Sequence, residues 1–114
     1  MKNTMEWIDE LDGSVIMSDL SGKVMYANET AECTFVKPGE PSLIGRDLMD
    51  CHNDNSKSMI RKILEKKVKN VYTIEKNGKK KLIYQTPWIS DGQLKGLVEF
   101  SFEIPFDMPH FIRK

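Results

Sequence analysis

The fold is decided by residues 71–104, which read VYTIEKNGKKKLIYQTPWISDGQLKGLVEFSFEI. Asn77-Gly78 and Asp91-Gly92 divide this stretch into three β-prone runs, and an Asn-Gly or Asp-Gly pair favours a tight hairpin turn because both residues adopt positive φ readily. The runs VYTIEK (71–76), KKLIYQTPWIS (80–90) and QLKGLVEFSFEI (93–104) are therefore predicted to form an antiparallel three-stranded meander.

The last of these runs alternates in polarity. One side carries Leu94, Gly96, Val98, Phe100, Phe102 and Ile104, and the other carries Lys95, Leu97, Glu99, Ser101 and Glu103. Successive residues of a strand point to opposite faces of the sheet. We therefore predict that the first, more apolar side is buried and that the second side, Leu97 included, faces solvent.

A long helix is predicted immediately before the meander. The segment CHNDNS (51–56) is rich in residues that cap helices. Apolar residues then recur at helical spacing, with charged residues between them: Met59, Ile60, Ile63, Leu64 and Val68. One side of this helix must pack on a large apolar surface, and the predicted sheet offers one.

The N-terminal half predicts a second hairpin. The runs SVIMSD (14–19) and KVMYA (23–27) flank a turn that contains Gly22, and Asn28 is placed to cap a short helix over 29–32. LIGRDLMD (43–50) is predicted to form one or two helical turns. Strands, short helices, a long helix and a meander in this order make an α+β domain with an antiparallel sheet.

The composition limits the partners that the chain can have. Among 114 residues, seventeen Lys and Arg balance seventeen Asp and Glu, so no net charge attracts nucleic acid or an anionic membrane. The apolar runs are far shorter than the ~20 residues of a membrane-spanning helix, and the acidic start MKNTMEWIDELDG does not resemble a signal peptide. We expect a cytoplasmic protein with no nucleic-acid or membrane partner.

Motifs of catalysis and metal binding do not occur in the sequence. There is no GxSxG, HExxH, Walker-type or GxGxxG pattern, so we expect no enzymatic activity. Cys33 and Cys51 are predicted to be reduced, partly buried thiols. Of the histidines, neither His52 nor His110 has the spacing of a metal ligand.

Three segments, taken in order, resemble a PAS domain. They are DGSVIMSDLSGKVMYANETAE (12–32), LIGRDLMD (43–50) and GQLKGLVEFSFEI (92–104). The resemblance covers roughly residues 5–105. It implies a five-stranded antiparallel sheet in the order 2-1-5-4-3, with helices on one face that enclose a pocket. It also implies a sensory or protein-interaction module in signal transduction of the bacterial type.

The resemblance suggests three parts in the chain. Residues 1–12 would form an N-terminal helix that caps the domain or contributes to a dimer, residues 13–105 the PAS domain, and residues 106–114 a C-terminal tail. Ligand occupancy would shift the packing of the long helix on the sheet, and so change how the N-terminal helix or the tail engages a signalling partner. A weaker alternative is that the chain is part of a larger signalling protein, such as a histidine kinase or a transcriptional regulator.

The implied pocket gives the candidate ligand-binding residues. They are His52, Met59, Ile63, Tyr84, Gln85 and Trp88. Strand alternation allows only one parity to point inward, either Tyr84 with Trp88 or Gln85. The alternative is a solidly packed interior without a ligand, because Met and aromatic side chains at these spacings also fill a core.

A cofactor is left open by the sequence. His52 could be an axial ligand of haem, since a neutral imidazole ligates haem iron and some PAS sensors bind haem through a histidine in this region. A flavin is disfavoured, because Cys51 is followed by His52-Asn53 and lacks the Arg-Phe continuation of the light-sensing relatives.

A homodimer is expected from the same resemblance. PAS domains often pair through a helix that precedes the first strand, and here the contact residues would be Met5, Ile8 and Leu11, with Leu97 on the last strand. A homodimerisation module that binds no ligand is therefore an alternative to the ligand sensor.

Overall fold

The computed structural model describes residues 6–48 and 54–114. Its helices are α1 (Glu6–Asp9), α2 (Glu29–Phe35) and α3 (Asp54–Lys66). Its strands are β1 (Ser14–Asp19), β2 (Val24–Ala27), β3 (Asn70–Lys76), β4 (Lys79–Ser90) and β5 (Gln93–Ile104). These strands form one antiparallel sheet in the order β2-β1-β5-β4-β3. The predicted α+β class and the 2-1-5-4-3 order are confirmed.

The meander turns where the sequence predicts. Asn77 and Gly78 have φ of 55° and 75°, and Asp91 and Gly92 have φ of 52° and 73°. Positive φ at both central residues is the geometry of the hairpin turn that matches the twist of paired strands. Lys76 accordingly pairs with Lys79 at the tip of the first hairpin.

Asn28 holds the N-terminal half together. It caps α2, and its Oδ1 accepts from the backbone N–H of Ala31 at 3.0 Å and of Val15 at 3.1 Å. Its Nδ2 donates to the carbonyls of Ile8 at 3.0 Å and Gly13 at 2.8 Å. Because the side chain is 0% exposed, each of these bonds satisfies a group that burial would otherwise leave unpaired. The predicted cap is thus confirmed and also ties α1, β1 and α2 together.

Helix α1 folds back onto its own domain. The Tyr26 hydroxyl donates to the Asp9 carboxylate, and the Thr30 hydroxyl donates to the carbonyl of Leu11 at 2.8 Å. Ile8 and Leu11 are half-buried in this arrangement. Met5, the other N-terminal residue predicted for a dimer interface, lies outside the described residues.

The sheet has two faces of different character. The helix face, the one covered by α3 and α2, carries Gln85 on β4 and Leu97 and Glu99 on β5. The aromatic face, on the other side, carries Tyr84, Phe100 and Phe102. Leu97 is only 1% exposed and belongs to the core. The predicted orientation of the last strand is therefore wrong, and Leu97 is not available for a dimer interface.

A bulge explains this reversal. Ser90 faces Gln93 at the turn, but the register shifts between Trp88 and Ile89, so that Gln85 faces Glu99. A tight hairpin without the bulge would place Val98 opposite Gln85. A slip of one residue exchanges the two faces of a strand. The bulge therefore determines which set of alternate β5 side chains shares a face with Gln85, under α3.

The core lies between the helix face, the helices and the loop before α3. Its buried members are Ile16, Val24, Ala27, Ala31, Leu43, Leu48, Ile60, Ile63 and Leu97. Met59 and Leu64 pack against this cluster. Val68, the last residue of the predicted helical stripe, is 41% exposed, because the helix ends at Lys66 and Lys67 adopts a φ of 55°.

Helical turns are predicted over 43–50, but residues 43–47 form a turn; Leu48 has 3-10 geometry, and residues 49–50 lie outside the described residues. Gly45 adopts a φ of 93°, which right-handed helices exclude. Its N–H donates to the carbonyl of Val24, and the N–H of Val24 donates to the carbonyl of Arg46, both at 2.8 Å. The segment is therefore pinned to β2, and its Leu43 enters the core.

Candidate functional site

A row of polar side chains crosses the helix face. Asn70, Gln85 and Glu99 lie opposite one another on β3, β4 and β5. Asn70 Nδ2 donates to Gln85 Oε1 at 2.8 Å, and Gln85 Nε2 donates to Glu99 Oε2 at 2.7 Å. Gln85 is only 2% exposed. The sheet thus carries a connected polar network, which we call the polar row, under its helical cover.

Two cavities flank the polar row. The helix cavity, about 280 Å³, lies beside α3 and is lined by Asn55, Ser56, Met59, Asn70, Tyr72 and Gln85. The loop cavity, about 190 Å³, lies beside the turn before α3 and is lined by Ile16, Val24, Phe35, Leu43, Arg46, Asp47, Leu48 and Glu99. Apolar walls with a few converging polar groups are the usual character of a small-molecule site.

Tyr72 is electrostatically coupled to the polar row. Burial raises the pKa of its phenol, because the charged phenolate loses solvation, and the nearby negative charge of Glu99 raises the pKa further. Tyr72 therefore favours its neutral form, in which the hydroxyl can donate a hydrogen bond into the helix cavity.

The predicted ligand-binding residues divide into three groups. Met59 and Gln85 both line the helix cavity. Ile63 is fully buried in the core, and Tyr84 and Trp88 lie on the opposite parity of β4, away from α3. Of the two parities that the sequence left open, the structure selects Gln85.

His52 and Cys51 lie outside the described residues, so the structure neither supports nor opposes a haem ligand there. Within 6–48 and 54–114, no group of three or more His, Cys, Asp or Glu side chains is placed to hold a metal. Cys33, predicted to be partly buried, is an exposed free thiol on α2. In the same part of the chain, no helix has both the length and the apolar character needed to cross a bilayer.

The residues that sequence reasoning missed are Asn70, Tyr72 and Glu99. Asn70 could have been found, because the Asn77-Gly78 turn alone sets the pairing of Asn70 with Gln85. Glu99 could not, because its position opposite Gln85 depends on the bulge. Tyr72 shares the parity of Asn70 on β3 and follows from the same turn.

A larger open groove, about 670 Å³, lies between α2 and the far end of the sheet. Exposed charged side chains such as Lys79 and Glu103, which form an ion pair at 3.6 Å, make up part of its wall. Its wall is mostly polar, whereas the two cavities beside the polar row expose mainly apolar surface, so we place the candidate site at the polar row.

Comparison with known proteins identifies the fold. No protein-family model and no curated protein matches the chain. Among solved structures, a sensory box sensor histidine kinase from Vibrio cholerae superimposes with a TM-score of 0.68 at 15% identity, over 89% of each chain. The PAS domain of the histidine kinase ThkA gives 0.64 at 20% identity, over 81% of this chain and 99% of that one.

A third solved structure, VqmA bound to DPO, gives a TM-score of 0.67 at 17% identity, over 88% of this chain and 56% of VqmA. At these identities the likeness is one of fold. The chain has the PAS fold, as the resemblance in its sequence predicted.

Proposed function

We propose that the chain is a sensory module of signal transduction that binds a small ligand between α3 and the helix face of the sheet. The observation that carries this proposal is the polar row, held beneath the helices and flanked by two cavities. The similar structures include a sensory box sensor histidine kinase, the PAS domain of a second histidine kinase, and VqmA bound to DPO, and they support the same function.

The polar row suits a binding site better than a purely structural core. Burying amides and a carboxylate costs free energy that their mutual hydrogen bonds only offset, whereas apolar side chains of similar size would add stability. Polar groups placed between two cavities can instead fix the orientation of a ligand, which is how small-molecule sites achieve specificity.

The ligand would act on the contact between α3 and β3. The helix cavity has Met59 of α3 on one side and Asn70 and Tyr72 of β3 on the other. An occupant that fits better when these elements stand further apart shifts the population toward that arrangement, in proportion to its difference in affinity for the two. The shift would reach a partner through α1 or through the exposed tail, residues 105–114.

Native mass spectrometry of the untreated protein tests the proposal. We expect a bound mass in addition to the chain, and we expect Met59→Trp to release it by filling the helix cavity. Met25→Trp, at an exposed position of β2, is the matched control and should retain the ligand. A bare chain mass that stays bare after exposure to cell extract would contradict the proposal, as would equal binding by both variants.

Haem and homodimerisation remain separate predictions. A Soret band in the absorbance spectrum that is lost in His52→Ala would identify haem as the occupant. Sedimentation at high micromolar concentration tests the dimer. Ile8 and Leu11 are the described residues left as interface candidates, since Leu97 is buried in the core. A ligand-free dimer would become the preferred function if mass spectrometry found no ligand.

A further inference from the structure

The hydrogen bonds of the polar row have a fixed direction. A carboxylate only accepts, so Gln85 must turn its Nε2 toward Glu99 and its Oε1 toward Asn70. Asn70 must then donate through Nδ2, which leaves its Oδ1 as an acceptor. Both ends of the row, the Glu99 carboxylate and the Asn70 carbonyl oxygen, therefore offer acceptors to an occupant.

Among the described residues that line the loop cavity, two are acidic and one is basic. Glu99 supplies a half-buried carboxylate, and the neighbouring walls are apolar, among them Phe35 and Leu43. Arg46 is the one basic residue among the lining residues, and its guanidinium donates to the backbone carbonyls of Ser42, at 3.2 Å, and Pro41. Two of its N–H groups thus brace the turn, and its positive charge stays at the wall of the cavity. Asp47, exposed at the rim, adds a second negative charge.

We propose that the ligand of the loop cavity is a small organic cation, a protonated amine or an amidinium on an apolar body, held by Glu99. This inference goes beyond the proposed function, whose ligand lies in the helix cavity at the other end of the polar row. A charged donor facing a carboxylate forms the stronger, charge-assisted kind of hydrogen bond, whereas an anion would be repelled. A cavity of about 190 Å³ lies below the ~300–1,000 Å³ of common ligand pockets, so the ligand is small.

Three probes of one shape and different charge test the inference on the full chain. Benzamidinium, benzamide and benzoate are each titrated while the backbone amide signals of Ile16, Leu43 and Glu99 are followed by NMR. We expect saturable shifts with benzamidinium, at a dissociation constant about tenfold or more below that of benzamide, and none with benzoate.

Two variants assign the effect to Glu99. Glu99→Gln keeps an amide oxygen that can accept from Gln85, and we expect it to weaken benzamidinium binding about tenfold or more. Glu103→Gln removes the same charge from an exposed position of β5 and should leave binding unchanged. Because the probe ranking uses the unaltered chain, it holds even if Glu99→Gln impairs folding.

Equal or tighter binding of benzamide or benzoate would overturn the cationic ligand and leave the proposed pocket standing. Equal losses in Glu99→Gln and Glu103→Gln would also overturn it. If none of the probes binds, the cationic assignment fails, while the proposed function is still decided separately by the bound mass in native mass spectrometry.

Discussion

The two faces of the sheet carry different chemistry. On the aromatic face, the rings of Tyr84 and Phe100 meet edge to face with centroids 6.3 Å apart, and Phe100 stacks on Phe102 at 5.7 Å. On the helix face, the same two strands present Gln85 and Glu99. The more apolar face of the meander is thus not the one that the long helix covers.

This difference separates two tasks of the sheet. Aromatic pairs contribute about 0.5–1.5 kcal/mol each beyond the area they bury. On the aromatic face, Tyr84 and Phe100 join β4 to β5, and Phe100 and Phe102 pack along β5. The helix face places polar groups beneath a helix and leaves space beside them. A face built only for stability would use that space for apolar side chains, and the polar ones agree with the proposed binding of a ligand.

The largest expected effect comes from two neighbouring residues of β5. Leu97→Ala removes a fully buried side chain of the helix face and should lower the free energy of unfolding by about 2–5 kcal/mol. Val98→Ala, on the aromatic face, should cost only about 1 kcal/mol because the side chain is half-buried. Urea unfolding of the two variants measures the difference, and equal or reversed losses would mean that the faces are assigned incorrectly.

A smaller loss is expected when the polar row is broken. Gln85→Leu keeps the approximate volume but leaves Asn70 and Glu99 without their shared partner, so we expect a cost of about 1–3 kcal/mol. Gln93→Leu, at the exposed start of β5, should change the stability by less than about 0.5 kcal/mol. A Gln85→Leu protein as stable as its control would show that the row contributes nothing to the fold.

Alkaline pH tests the tyrosine that anchors α1. Burial, with help from Asp9, raises the pKa of Tyr26 from 10.0 to about 12. The folded state favours the neutral phenol, so Tyr26 adds to the free energy of unfolding. This contribution is complete below pH 10 and is lost as the pH rises through about 12. Tyr26→Phe should flatten the fall of the unfolding temperature in that window. The pKa of Tyr72 is raised too, so part of this fall should persist in Tyr26→Phe. If the unfolding temperature of Tyr26→Phe falls as steeply as that of the unaltered chain, Tyr26 is not its cause.

The smallest effect distinguishes the two tyrosines. Glu99→Gln removes one of the two causes that raise the pKa of Tyr72 and should lower that pKa without moving the pKa of Tyr26. Glu103→Gln is the control and should move neither. Ring signals in an NMR titration report both groups, and a Tyr72 pKa that stays in place would mean that Glu99 is not its neighbour.

Local signals predicted most of the fold. The two Gly-containing turns, the cap at Asn28 and the stripe containing Ile60 and Ile63 each follow from a few adjacent residues, and each is found in the structure. The turn at Gly45 was missed because its hydrogen bonds join residues far apart in sequence.

The candidate site could be predicted only in part, for a related reason. Counting apolar residues along β5 favours the side of Phe100. The local sign of the bulge that reverses the faces is Gly96, which pairs with Trp88 and lies beside the extra residue Lys95. Gln85 in the middle of a strand was a signal, because a central polar residue needs partners. Its partner Asn70 follows from the hairpin register, whereas Glu99 depends on the pairing of whole strands.

The candidate site exists only if α3 lies over the polar side of the sheet, and nuclear Overhauser effects between side chains test this directly. In a methyl-labelled sample, we expect the methyl groups of Ile60 and Ile63 to give cross-peaks to the other core side chains of the helix face, Leu97 among them. Cross-peaks from those methyl groups to the rings of Phe100 and Phe102, with none to Leu97, would contradict the account.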